Sequence, residues 1–154
     1  MIQRIQSLYL LVSVIILSLL FVNPIAEIII SDELQLILSY NRIASPENSD
    51  FQSINIWQLT VLLIIISFLN IMSIFLYKNR ILQMRLCILA IILLFGFIGM
   101  IWYFTKTTLH RLGGTESVYL WTIMIPFVSI ILTYLAFKRI QKDEILVKSY
   151  DRIR

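Results

Sequence analysis

Four long runs of uncharged residues dominate this sequence. Ile5–Val22, Ile56–Tyr77, Leu86–Tyr103 and Val118–Phe137 contain no Asp, Glu, Lys, Arg or His, and they are 18, 22, 18 and 20 residues long. A helix needs roughly 20 apolar residues to cross the hydrocarbon core of a bilayer. A backbone in lipid must satisfy its own hydrogen bonds, so such runs form helices. The sequence therefore predicts an all-α membrane protein, a four-transmembrane-helix bundle that forms a single domain over residues 1–154.

The composition supports the same fold class. Hydrophobic residues make up 59% of the chain and charged residues 14%, with a mean hydropathy of +0.87. A soluble domain is about half apolar and about a quarter charged. Any one of the four runs could be the core helix of a soluble protein, but four of them in 154 residues argue against that alternative.

The charged residues are distributed unevenly among the connections. Ten of the thirteen Lys and Arg lie before the first run, between the second and third, or in the tail 138–154, whereas six of the nine acids lie in the other two connections. By the positive-inside rule, the N-terminus, the second connection and the tail are cytoplasmic. The net charge of +4 therefore reports topology and favours the lipid bilayer, rather than nucleic acid, as a partner.

The segment 24–55 is the longest piece outside the four runs. Leu34–Tyr40 mostly alternates apolar and polar residues, as a half-buried strand does, and Ile25–Ser31 also favours β structure. We predict a short β-like hairpin over the outer mouth of the bundle. An amphipathic surface helix over Ile25–Tyr40 stays open as the alternative. Ala44–Asp50 is expected to be a polar loop.

Aromatic residues and the tail add detail to this topology. The outward-facing ends of the spans carry an aromatic belt, formed by Trp57, Trp102, Tyr103, Tyr119 and Trp121. Thr105–Ser117 is predicted to be a loop that contains His110. Helix four is expected to continue into the tail as an amphipathic cytoplasmic extension. This extension is either a solvated end or a docking surface for a partner.

Weakly polar residues form stripes within two of the spans. They are Thr60, Ser67 and Asn70 in the second, and Thr122, Pro126, Ser129 and Thr133 in the fourth. Small and weakly polar residues line helix–helix contacts in lipid, so internal packing is our preferred interpretation; Gly96 and Gly99 are expected at such contacts too. A groove for a lipid or a small ligand, centred on Asn70, stays open. Pro126 is expected to kink its helix.

The sequence contains no recognisable catalytic constellation. Ionisable side chains within spans usually mark ion paths or substrate sites, and the four runs contain none. A metal site needs several converging ligands, but the single His110 and the single Cys87 are predicted on opposite membrane faces. We therefore expect neither an enzyme nor a bound metal or cofactor.

Three stretches resemble a known family. They are Met1–Gln6 with Leu8–Leu11, Tyr77–Arg80 with Leu82–Cys87, and Lys142–Glu144 with Leu146, Val147, Ser149 and Asp151–Arg154. Together they are similar to an uncharacterised family of four-span membrane proteins from Gram-negative bacteria, catalogued as a domain of unknown function. The resemblance covers the whole chain. It implies a multi-pass protein of the bacterial inner (cytoplasmic) membrane and no assigned activity, catalytic residue or binding residue.

These observations favour a non-enzymatic accessory or scaffold subunit of a larger inner-membrane assembly. Its partners would be other membrane proteins or further copies of itself. The alternative is a small-molecule or lipid carrier that uses the polar stripes, and an enzyme comes third. We expect a partner to dock on the cytoplasmic charged residues, which are Lys78, Arg80, Arg85, Asp143, Glu144, Asp151 and Arg152.

Overall fold

The computed structural model describes residues 3–31, 34–46, 53–77, 79–114 and 116–151. These residues form four α-helices and five short strands. The helices are α1 (Gln3–Ser18, continued by a 3₁₀ turn over Leu19–Phe21), α2 (Trp57–Phe75), α3 (Arg80–Leu112) and α4 (Met124–Asp151). The strands are β1 (Ala26–Ser31), β2 (Leu34–Leu38), β3 (Arg42–Ala44), β4 (Ile54–Asn55) and β5 (Glu116–Tyr119). The chain is therefore mostly helical, with one small sheet.

Three of these helical segments are long and apolar enough to cross a membrane. They are Trp57–Phe75, Arg80–Leu112 and Trp121–Leu146, whereas the apolar segment of α1, Ile5–Phe21, is shorter. The four helices pack in a ring, since α1 contacts α2 and α4, and α3 contacts the same two helices. This arrangement is consistent with a membrane protein.

The predicted hairpin is present, within a sheet larger than the sequence suggested. β1 and β2 pair antiparallel, with Ile28 opposite Leu36, which rules out a surface helix over this segment. The strand order is β4-β3-β2-β1-β5, and every pairing is antiparallel. Ala44 ends β3 and so is not loop, and residues 47–50 of the predicted loop lie outside the described part of the chain.

One apolar core joins the sheet to the helices. Leu36, Leu38 and Ile43 on the inner face of the sheet are fully buried, in one cluster with Leu59 of α2 and Phe97 of α3. Alternate residues of a strand point to the same face, so this face covers the ends of the helices. We call this end of the molecule the sheet end.

Two predicted boundaries differ from the structure near the sheet end. Val118 and Tyr119, expected to begin the fourth span, belong to β5, since they pair with Glu27 and Ala26. The predicted loop Thr105–Ser117 is mostly helix, since α3 continues to Leu112 and spans about 50 Å at 1.5 Å per residue. Gly113 ends this helix with a left-handed conformation, φ +66°. His110 is thus an exposed residue of the last turn of α3, not of a loop.

The opposite end of the bundle differs in composition. A second, smaller cluster of buried residues lies there, formed by Leu10, Cys87, Ala136 and Ile140. Exposed basic residues surround this end, namely Arg85, Lys138, Arg139 and Lys142. We call it the basic end. The predicted extension of helix four is helical, since α4 continues to Asp151, whereas Arg80–Arg85, expected in the second connection, begins α3.

Candidate functional site

A layer of polar and small residues separates the two apolar clusters inside the bundle. On α1, Ser13 lies between Leu10 of the smaller cluster and Leu17 of the larger one. On α2, Asn70 lies between Ile66, which belongs to the larger cluster, and Ile74, which packs on the smaller one. On the other two helices the corresponding residues are Ala90, Ser129 and Thr133. All five layer residues are at least 99% buried. We call them the polar layer.

Two of the predicted stripe residues donate hydrogen bonds to backbone carbonyl groups of their own helices. Thr133 donates to the Ser129 carbonyl at 2.8 Å, and Ser67 donates to the Leu63 carbonyl at 2.9 Å. Both bonds span four residues within one helix, a common arrangement for hydroxyl side chains in apolar helices. These hydroxyl groups therefore satisfy their own hydrogen-bonding needs.

Two other stripe residues join the bundle to the sheet end. Thr60 donates to the Tyr40 carbonyl at 3.0 Å, and Thr122 donates to the Pro24 carbonyl at 2.5 Å. Tyr40 follows β2 and Pro24 precedes β1, so both bonds fix the open end of the hairpin, one to α2 and one to the 3₁₀ turn before α4. Thr60 and Thr122 of the predicted stripes thus belong to the sheet end, whereas Asn70, Ser129 and Thr133 belong to the polar layer.

The remaining polar atoms of the layer are buried without a partner. Both amide atoms of Asn70 and the hydroxyl groups of Ser13 and Ser129 make no hydrogen bond to the described residues. An unsatisfied buried polar group costs about 1–3 kcal/mol. The polar layer therefore contains unused donors and acceptors on three different helices, and a small polar molecule could supply the missing bonds.

Pro126 does not kink its helix. α4 begins at Met124, so Pro126 occupies the first turn and is buried there. The first four amide groups of a helix have no acceptor within it, so proline costs little at this place. The expected kink required helix on both sides of Pro126, and a 3₁₀ turn over Trp121–Ile123 precedes it instead.

Gly96 and Gly99 also lie elsewhere than expected. Both are exposed on α3, and a Cβ atom added at either would meet nothing within 4 Å. They make no close contact with the other helices in the described part of the chain. Their neighbours Ile92 and Phe95 are exposed as well. This face of α3, formed by Ile92, Phe95, Gly96 and Gly99, is called the glycine face below.

At the basic end, Asp143 of α4 contacts two other helices. Its carboxylate accepts a hydrogen bond from the side-chain amide of Gln6 on α1, and its carbonyl accepts one from the Arg80 guanidinium on α3 at 3.0 Å. These contacts hold the extension of α4 against the bundle. Two of the residues predicted to dock a partner, Arg80 and Asp143, therefore interact within the chain.

The structure describes the other predicted docking residues in less detail. Arg85 is exposed on α3, and Glu144 is partly buried on α4. Lys78 and Arg152 lie outside the described residues, and only the helical backbone of Asp151 is described. The structure does not test whether this set binds a partner, so that role stays a prediction.

Two of the residues that matter most here, Gln6 and Ser13, were not predicted from the sequence. Both are buried, on the same face of α1 as Leu10, Leu17 and Leu20. The spacing of these five residues is 4-3-4-3, which is the period of one helical face. Two polar residues within an apolar helical stripe could have been noticed from the sequence.

No ligand set for a metal forms in the described part of the chain, since no three His, Cys, Asp or Glu converge there. A comparison with known protein families gives a match over almost the full length of the chain. The matching model is described as a domain of unknown function, DUF4293, and it spans residues 2–153. The chain matches no curated protein.

Proposed function

The chain belongs to the DUF4293 family, and from this premise we propose that it is a non-enzymatic accessory or scaffold subunit of a larger assembly in the bacterial inner membrane. Its partners would be another membrane protein or further copies of the chain. The glycine face of α3 carries this proposal. The same proposal includes the membrane topology, which exposes that face to lipid or to a partner.

Four membrane crossings are supported by the path of α1 beside α4. At the basic end Gln6 contacts Asp143, and at the sheet end Phe21 packs on Tyr40 with ring centroids 5.2 Å apart. α1 thus extends from one end of the bundle to the other, although its apolar segment is shorter than those of the other helices. If α4 crosses the bilayer, α1 crosses it too.

The charges support the orientation. Lys138, Arg139 and Lys142 are exposed at the basic end, whereas Glu27 and Glu116 lie on β1 and β5 of the sheet. Basic residues favour the cytoplasmic side. We place the basic end and both termini in the cytoplasm and the sheet in the periplasm.

The glycine face is suited to contact with a helix of another protein. Glycines let two helix backbones approach closely in lipid, and this close approach is a main source of helix association there. Gly96 and Gly99 are one turn apart on α3, and no part of the described chain covers them. Since these glycines do not serve packing within the chain, contact with a second protein explains their place on the surface.

The double substitution Gly96→Leu with Gly99→Leu tests this role. There is space for a Cβ at each position, and leucine favours a helix over glycine by about 1 kcal/mol, so the fold should persist or gain stability. Purification in mild detergent should recover a stoichiometric partner or an oligomer with the wild-type chain and lose it with this variant. Thermal unfolding verifies that the variant is folded.

The control also introduces two leucines, on another exposed helix face. Val61→Leu with Ile64→Leu alters two exposed apolar residues of α2 and should leave the association intact. If the glycine variant recovers as much associated protein as the control, the glycine face is not an interface and the proposal loses its main support.

A second candidate function is a carrier of a small molecule or lipid headgroup. The unpartnered polar atoms of Ser13, Asn70 and Ser129 favour it, because a bound polar molecule could supply hydrogen bonds that the chain does not. Asn70 can both donate and accept, so the ligand would carry both an acceptor and a donor. The ligand would have to pass between the helices.

Native mass spectrometry of the purified chain tests this candidate. A carrier should retain a bound small molecule through purification, and Asn70→Leu should abolish this retention. Without a ligand, Asn70→Leu should instead raise the unfolding free energy by about 1–3 kcal/mol, because it removes an unsatisfied buried amide. Added stability with no retained molecule in the wild-type chain would refute the carrier function.

A further inference from the structure

A groove whose described charged residues are all basic lies along α4 at the basic end. It has a volume of about 700 Å³ and is lined by Leu135, Lys138, Arg139, Gln141, Lys142, Ile145 and Leu146. The three basic residues are exposed and fall within two turns of one helix. Among the side chains that the structure describes, no acid lines the groove, although the same helix carries Asp143 and Glu144.

The position of Asp143 explains why the groove is basic. Its carboxylate faces Gln6 of α1 and its carbonyl accepts from Arg80 of α3, so this residue is held against the bundle and does not line the groove. Glu144 is partly buried and does not line the groove either. Over this described part of α4, the Asp143 carboxylate therefore faces the bundle, whereas the three basic residues of the groove are exposed.

An apolar stripe continues from the groove along the same face of α4. Val128, Ile131 and Leu135 are exposed at helical spacing, and Lys138 follows Leu135 by three residues. The Lys138 ammonium lies 5.1 Å from the centre of the Tyr134 ring, which holds its charge near the apolar part of the helix. Basic residues next to an apolar stripe match the two parts of a phospholipid.

We propose that this groove is a binding site for one anionic phospholipid of the cytoplasmic leaflet. The phosphate of the headgroup contacts Lys138, Arg139 and Lys142, and an acyl chain lies along Leu135 and Ile131. Charge complementarity selects an anionic headgroup over a zwitterionic one. The apolar stripe selects a lipid over a soluble phosphate, which cannot use it. This site goes beyond the accessory role, and its test in detergent does not depend on any protein partner.

The test compares lipids on the full chain in mild detergent by native mass spectrometry. Phosphatidylglycerol should remain bound to the wild-type chain, and phosphatidylcholine should not. The triple substitution Lys138→Gln, Arg139→Gln and Lys142→Gln should weaken phosphatidylglycerol retention about a hundredfold, since each basic residue near an anionic headgroup contributes a factor of about five. The three side chains are exposed, so the variant should fold, and thermal unfolding verifies it.

The control neutralises three basic residues at the sheet end. Arg42→Gln, Lys106→Gln and Arg111→Gln change the net charge equally, at exposed positions outside the groove. This control should retain phosphatidylglycerol as the wild-type chain does. An equal loss in both variants, equal retention of phosphatidylcholine, or displacement of the lipid by millimolar inorganic phosphate would each overturn the proposal.

Discussion

The two ends of the bundle are built in different ways. The sheet end depends on strand pairings between distant parts of the chain and on a large apolar core that includes Leu36 and Phe97. Among the described residues, the apolar core of the basic end has four buried side chains, and the helices there meet through polar contacts to Asp143. Substitutions at the sheet end should therefore cost more stability than those at the basic end.

The largest effect is expected in the core below the sheet. Leu36 of β2 is fully buried, so Leu36→Ala should lower the unfolding free energy by about 2–5 kcal/mol through lost contacts and the cavity left behind. Thermal or denaturant unfolding in detergent measures this change. A loss no greater than that of Arg80→Met at the basic end would contradict the difference between the two ends.

A smaller loss is expected where α3 meets the hairpin. A Cβ at Gly114 would lie 2.9 Å from Leu109 Cδ1 and 3.1 Å from the Ile29 carbonyl oxygen, so Gly114→Ala should destabilise by about 1–3 kcal/mol. The backbone oxygen cannot move aside without disturbing β1. Gly96→Ala, which has open space on α3, serves as the control and should stabilise by up to about 1 kcal/mol. Equal effects would mean that the hairpin is not fixed against α3.

The smallest effect is expected at the basic end. Arg80→Met removes the hydrogen bond to the Asp143 carbonyl and should cost about 0.5–1.5 kcal/mol. Arg85→Met, at an exposed position further along α3, should change stability by less than about 0.5 kcal/mol. Both can be measured by unfolding in the same detergent. If both variants behave alike, the contact between α3 and α4 does not hold the extension of α4.

The sequence predicted the helices better than their ends. The charge-free run Ile56–Tyr77 predicted the ends of α2 to within two residues, because lipid and the bundle interior both favour apolar residues over the whole length of this helix. The same signal misplaced β5, since Val118 and Tyr119 are apolar and their pairing with β1 depends on residues about ninety positions away. A four-residue strand set by such a distant partner leaves little local pattern.

The extra length of α3 did leave a signal. Ile101, Thr105 and Thr108 are buried at helical spacing, so the inward face of the helix continues past the predicted boundary. The polar residues of this segment and the two glycines that follow it made the helical spacing hard to see in the sequence. The polar stripes were visible in the sequence, but the contacts of each hydroxyl group depend on the sheet and could not be inferred from helix periodicity alone.

Membrane topology is the central claim, and thiol labelling tests it most directly. In a Cys87→Ala background, single cysteines are placed at Gln3, which begins α1 ahead of its apolar segment, and at the exposed residues Glu116 and Lys142. Spheroplasts of a bacterium that expresses each variant are treated with a membrane-impermeant maleimide, before and after lysis. Glu116→Cys should react in intact spheroplasts, whereas Gln3→Cys and Lys142→Cys should react only after lysis. Labelling of Gln3→Cys or Lys142→Cys before lysis, or protection of Glu116→Cys, would contradict four crossings with both ends in the cytoplasm.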